Sequence, residues 1–172
     1  MSSNSKSRYT AQMLSYRHAF HAGNFADVHK HLGLMLCLES LCKKEKPFSV
    51  IDTHAGAGLY TLDDERALLT GETNDGIIRL LSYCKERNPP SALNRYISLI
   101  LPYIQSNSYP GSPEIERSFL RDNDYLTLIE LHSTEINILR AAMEGGGKDP
   151  RIHIHFRNAY EACSALCPPS PR

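Results

Sequence analysis

The chain has 172 residues, of which 41% are hydrophobic, and its 19 Lys/Arg balance 19 Asp/Glu, a size and composition that suit one domain with a single core. A formal charge of zero argues against a dedicated nucleic-acid binder of high isoelectric point, although residues 1–46 carry seven Lys/Arg against three Asp/Glu and residues 47–172 twelve against sixteen. Five cysteines with no C-x-x-C pair argue against a disulfide framework, and no apolar run suits a membrane span or a signal region. A soluble cytoplasmic protein with reduced thiols is expected.

Residues 1–12 are polar and without periodicity, which predicts a disordered extension. L-S-Y-R-H-A-F-H-A-G-N then reads as an ordered arm rich in aromatic and imidazole groups. Asn24 suits an N-cap, and a helix is expected from Phe25 to about Lys44 with Val28, His31, Leu32, Met35, Leu38 and Leu41 on one face. His29 and Lys30 should point to water. Phe48 to Ile51 reads as a short buried strand that ends in Asp52 and breaks into the loop T-H-A-G-A-G. Residues 62–105 read as helices. Asn74 and Ser91 are the expected caps, Leu93, Tyr96, Ile97, Ile100 and Ile104 form an apolar stripe, and Pro102 kinks the last turn.

In Y-P-G-S-P, Ser112 is the expected N-cap of a helix ending near Arg121, with Pro113 at its first position. Tyr125 to Leu131 reads as a buried parallel strand carrying Glu130 near its end, residues 133–144 as a helix closed by Gly145–Gly147, and Arg151 to Phe156 as a third strand. Asn158 and Ala159 open a last helix. Strands alternating with helices predict a doubly wound α/β arrangement.

The loop after the first strand is a candidate nucleotide site, because ligands of open α/β sheets sit outside the carboxyl ends of the strands. A dinucleotide fold wants G-x-G-x-x-G running into a helix, and A-G-A-G is followed here by Leu59-Tyr60-Thr61 with no third glycine. S-adenosylmethionine has no pyrophosphate to cradle. It needs close backbone approach at Gly56 and Gly58 and an acceptor for its ribose hydroxyls, a role that suits Glu130. Glu130 lies 72 residues beyond Gly58, where about 20 separate the equivalent groups of a plain nucleotide fold; inserted helices account for the excess. The plain structural alternatives are a simple glycine turn and a Glu130 paired with an arginine at the sheet edge.

L-S-Y-R-H-A-F-H-A-G-N-F-A-D-V-H-K-H, D-T-H-A-G-A-G-L-Y, Y-P-G-S-P and L-I-E-L-H, in this order, closely resemble the RlmJ family. These are bacterial S-adenosylmethionine-dependent methyltransferases acting on N6 of an adenine in 23S ribosomal RNA. The resemblance runs from Met13 to about Arg172. It implies a class I methyltransferase (Rossmann-like) α/β fold with a helical subdomain inserted after the first strand. On this reading residues 47–61 and 106–172 form the cofactor-binding half-domain, 62–105 the insertion, and 13–46 an arm and helix. The resemblance also implies cofactor contacts at His31, His54, Gly56, Gly58, Ser112 and Glu130, and an RNA contact at Tyr16.

Two departures stand out. The family's Asp-Gly after the third strand is Asn158-Ala159 here; an Asn oxygen can accept the adenine amino hydrogen bond that the Asp accepts, so both positions carry over as cofactor-binding. The family's Asp-Pro-Pro-Tyr-type segment, which would hold the target amine and stack on the base, does not occur, and Cys167-Pro168-Pro169-Ser170 lacks both groups. The expectation is a chain that ends before the fourth strand, holds no catalytic residue, binds cofactor weakly and does not turn over. A non-catalytic cofactor- or RNA-binding fragment is the alternative. The chain is expected to be a monomer without membrane association. Metal binding through His18-x-x-His21 and His29-x-His31 is weighed and not expected, since no Cys or carboxylate cluster joins them.

Overall fold

A computed structural model describes residues 21–62 and 71–168. Tyr16, the 1–12 segment, His18 and most of the arm lie outside the described residues. In chain order the elements are α1 (Phe25–Cys42), β1 (Ser49–Asp52), β2 (Leu59–Thr61), a π-turn (Asn74–Ile78) continuing into α2 (Arg79–Glu86), α3 (Ser91–Gln105), β3 (Ser108–Pro110), α4 (Ser112–Ser118), β4 (Tyr125–Glu130), α5 (Ser133–Glu144), β5 (Ile152–Phe156) and α6 (Ala159–Leu166).

β1, β4 and β5 form a parallel sheet in the order β1-β4-β5, with Ser49 beside Tyr125 and Glu130 beside Phe156. Leu126 and Leu128 of β4 and Ile152 of β5 pack against Ile136, Leu139 and Met143 of α5 on one face. Ile129 packs against Ala159 and Ala162 of α6, with Ile51 beside them, on the other. Both faces of the middle strand are thereby buried, which is why β4 reads as a nearly continuous apolar run. A separate core joins Met35 of α1, Tyr60 of β2, Ile77 of the π-turn, Tyr96 and Ile100 of α3, and Tyr109 of β3.

Several local readings are corrected. β2 and β3 pair antiparallel, Tyr60 opposite Tyr109. Each is three residues long, too short for any alternation to announce it, and the two meet across an intervening 46 residues. Asn74 does not cap α2 but begins the π-turn, where Gly76 departs from helical geometry and a side chain on it would collide with the Gly23 carbonyl. Pro90 caps α3 and Ser91 is its first residue. Gly111 caps α4, leaving the Ser112 hydroxyl for another partner, and α4 stops at Ser118. Asn24 caps α1 as expected, accepting from the Asp27 amide at 2.9 Å. His29 and Lys30 are exposed, but Asp27 is buried beside His31 on the inner face.

The entry to the sheet is clamped by Asp124, which is fully buried. Its carboxylate accepts from the Phe48 amide at 2.9 Å, the Arg121 amide at 2.9 Å and Arg121 Nε at 2.8 Å. Burial opposes the charge, yet these donors hold the carboxyl below the usual carboxylate range. Arg121 also donates to the Lys44 and Lys46 carbonyls, fixing the end of the α1–β1 connection to the start of β4.

Candidate functional site

At the carboxyl end of β1, Asp52 organises the loop that follows. Its Oδ1 accepts from the His54 amide at 3.0 Å, and its Oδ2 accepts from Ser112 Oγ at 2.6 Å. Burial pushes the Asp52 carboxyl up, opposed by the Ser112 and His54 donors. Gly56 and Gly58 both have left-handed backbone, with φ of 62° and 77°. A side chain on Gly56 would collide with the Tyr60 hydroxyl, and one on Gly58 would lie 2.9 Å from Leu139. The loop therefore lies close against the protein beneath it.

The loop is laid across the end of β4. The Ala55 amide donates to the Ile129 carbonyl at 3.0 Å, and the Gly56 amide donates to Glu130 Oε2 at 2.8 Å. Glu130 Oε1 accepts from the His132 amide at 2.6 Å. No arginine pairs with Glu130 among the described residues. Two backbone amides fix a half-buried carboxylate at the cavity wall, and its oxygens retain lone pairs for further donors.

These residues wall a cavity of about 410 Å³, within the size range of small-molecule sites. Of the residues singled out in the sequence, His31, His54, Gly56, Ser112, Glu130, Asn158 and Ala159 line it. Gly58 does not; its carbonyl accepts from the Gly111 amide at 2.8 Å, joining the loop to the turn before α4. Asn158 caps α6, its Oδ1 accepting from the Tyr160 amide at 2.9 Å and the Glu161 amide at 3.5 Å. One of those bonds is long, so the oxygen keeps capacity for a further donor.

Sequence reasoning missed Asp27, Lys30, Leu131, Arg157 and Tyr160, which also line the cavity. Leu131 and Tyr160 are 40% and 77% exposed, large apolar surfaces flanking the end where Asn158 and Ala159 sit. The residue after the acidic end of a strand and the first turn of the helix after the next strand were readable positions for them. Asp27 was hidden by its charge. It is buried because the Gly23 amide and the Lys30 ammonium both reach it at 3.1 Å. The cavity lining thus combines apolar surface at Leu131, Ala159 and Tyr160 with the Glu130 carboxylate, the charged Asp27 and Lys30, and the imidazoles of His31 and His54. Among the described residues no three His, Cys, Asp or Glu side chains are grouped to hold a metal ion. No helix among them is long and apolar enough to cross a membrane.

Behind the cavity, Glu116 of α4 is 4% exposed and its Oε2 has no hydrogen-bond partner among the described residues. Burial, reinforced by the Asp52 charge, pushes its carboxyl up to about 9, so it is a neutral acid at physiological pH.

Comparison with known proteins matches residues 45–172 to the family described as "Ribosomal RNA large subunit methyltransferase D, RlmJ". The chain is 43% identical over 163 residues to ribosomal RNA large subunit methyltransferase J of Escherichia coli (strain K12), covering 93% of this chain and 56% of that protein. It is 40% identical over 164 residues to the protein of the same name from Haemophilus influenzae, with the same coverage. The crystal structure of protein LPL1258 from Legionella pneumophila superposes with a TM-score of 0.71 at 36% identity, over 87% of this chain and 54% of that one. The chain spans about half the length of the curated relatives it matches. With a family match over most of its residues and a parallel sheet whose strand ends wall the cavity, the chain belongs to the RlmJ methyltransferase family.

Proposed function

We propose that these residues bind S-adenosylmethionine and form the cofactor-binding span of an enzyme that methylates N6 of an adenine in 23S ribosomal RNA. The observation that carries the reading is Glu130. It stands at the carboxyl end of the middle strand, faces the cavity, and is held there by the amides of Gly56 and His132. A carboxylate so fixed accepts both hydroxyls of a ribose without having to be reoriented. Leu131 and Tyr160 flank the purine, and Asn158 Oδ1 receives its amino group. His54 and the Gly56 backbone lie along the methionine part, and His31 and Ser112 stand near its charged end. Tyr16 meets the RNA. The division into an arm, a cofactor-binding half-domain and an inserted helical subdomain over residues 62–105 belongs to the same reading.

The bound cofactor would supply an electrophilic methyl group on a sulfonium. The chain's residues would position it. No Asp-Pro-Pro-Tyr-type segment occurs in the 172 residues, and methyl transfer to 23S RNA by these residues alone is not expected. Isothermal titration with S-adenosylmethionine tests the site. Glu130→Ala is expected to weaken binding by tenfold or more, since hydrogen bonds to a charged group contribute about 1.5–3 kcal/mol. His54→Ala, on the exposed side of the loop, should cost less. Undiminished affinity in both variants would sink the assignment.

A further inference from the structure

Arg95, Arg117, Arg121 and Arg151 are each locked in an ion pair, with Glu39 at 2.6 Å, Glu114 at 2.6 Å, Asp124 at 2.8 Å and Asp149 at 2.6 Å. The cations of α2 and its end are committed differently. Arg79, Lys85 and Arg87 are exposed and make no ion pair or side-chain hydrogen bond among the described residues. The Arg87 guanidinium instead lies over the Tyr83 ring, 5.1 Å from its centroid. Tyr83 is 43% exposed, so the pair stands in water.

The helix itself explains why these groups face outward. Leu80 and Leu81 pack half-buried against the core of α1, α3 and the β2–β3 pair, and no residue of α2 is fully buried. Arg79 and Tyr83 lie one turn apart, on the face away from those leucines. Between residues 78 and 88 the charges are Arg79, Lys85 and Arg87 against Glu86 alone. That is a local positive excess within residues 47–172, which carry twelve Lys/Arg against sixteen Asp/Glu. Asp75, one turn before Arg79, does not pair with it. Cations without acidic partners attract a polyanion, whether nucleic acid or an acidic protein surface. The ring between them separates the two: an exposed tyrosine with a guanidinium over it is a platform on which an unpaired base stacks. The guanidinium keeps its N–H donors for a phosphate.

We propose that the outer face of α2 is a docking surface for an unpaired segment of RNA, with a base stacked on the Arg87–Tyr83 pair and backbone phosphates drawn to Arg79 and Arg87. That this RNA is the substrate of the methyl transfer rests on the reading above; the surface itself does not.

The test is fluorescence anisotropy of the full chain with a labelled single-stranded RNA of about 12 nucleotides, repeated between about 50 and 200 mM salt. Arg79→Gln and Arg87→Gln are each expected to weaken binding and to lower the slope of log affinity against log salt by about 0.7. Tyr83→Ala should weaken binding about fivefold or more with little change of slope, and Tyr83→Phe should bind like the parent. Glu86→Gln, which removes the one acid of the patch, should tighten binding about twofold. All four positions are at the surface, and thermal unfolding of each variant confirms that it is folded. A parent chain that does not bind the RNA overturns the proposal, as do arginine variants whose affinity and slope equal the parent's. Polyglutamate that competes as well as RNA, with Tyr83→Ala unchanged, reveals a general anion surface and overturns it too. Titration of the same variants with S-adenosylmethionine separates the two readings. Affinity equal to the parent's is expected there, whereas a chain that binds RNA through α2 and no S-adenosylmethionine loses the cofactor reading and keeps this surface.

Discussion

Glu116 shows how far one side chain can depart from what its charge suggests. It lies one turn beyond Ser112 on α4, is 4% exposed, and shares its surroundings with the Asp52 carboxylate. Its folded-state pKa of about 9 stands above the ordinary 4.5. Between those values the unfolded chain has released a proton that the folded chain retains, so folding stability falls as pH rises through that window. Glu116→Gln removes the titration and keeps the shape. The variant should match the parent below about pH 4.5 and be about 1–3 kcal/mol more stable at pH 8, read by urea unfolding at a series of pH values. A stability difference that does not change between pH 4 and pH 8 would mean that Glu116 is ionised in the fold. Buried acids such as Asp27, Glu114 and Glu116 were not legible in the sequence. A carboxylate in a helix reads by default as solvent-facing.

At the scale of elements, what was legible is what local chemistry determines. β4 announced itself as an apolar run, α5 by its closing glycines, and α6 by Asn158 at its start, because burial on both faces and capping leave direct marks on composition. The β2–β3 pair left none, since its register depends on a meeting across the whole helical segment. Ser112 looked like a cap, but its hydroxyl goes to Asp52 and so joins α4 to the end of β1. The loop after β1 was legible as a close approach, though not what it approached: a side chain on Gly56 would strike the Tyr60 hydroxyl. Gly56→Ala should cost about 1–3 kcal/mol from left-handed strain and that collision. Adding Tyr60→Phe to Gly56→Ala should recover part of the loss, because the colliding atom is gone. Thermal unfolding of the single and double variants checks it, and strictly additive losses would contradict the geometry.

On the scale of the molecule, two cores are coupled at one cavity. The sheet core delivers Glu130, Leu131, Asn158 and the glycine loop; the core of α1, α3 and the β2–β3 pair delivers His31, with Tyr96 and Tyr109 behind it. The class of fold was readable from strand–helix alternation, and the family from four motifs. The joining of the two cores was not, because the contact of His31 with Tyr109 spans 78 residues. The central claim, that the β1 and β4 strand ends form a berth for S-adenosylmethionine and not for a dinucleotide, is tested most directly by calorimetric titration of the unaltered chain with S-adenosylmethionine and with NAD in parallel. Saturable one-site binding of S-adenosylmethionine and none of NAD is predicted. Binding of NAD in preference, or of neither, would contradict the account.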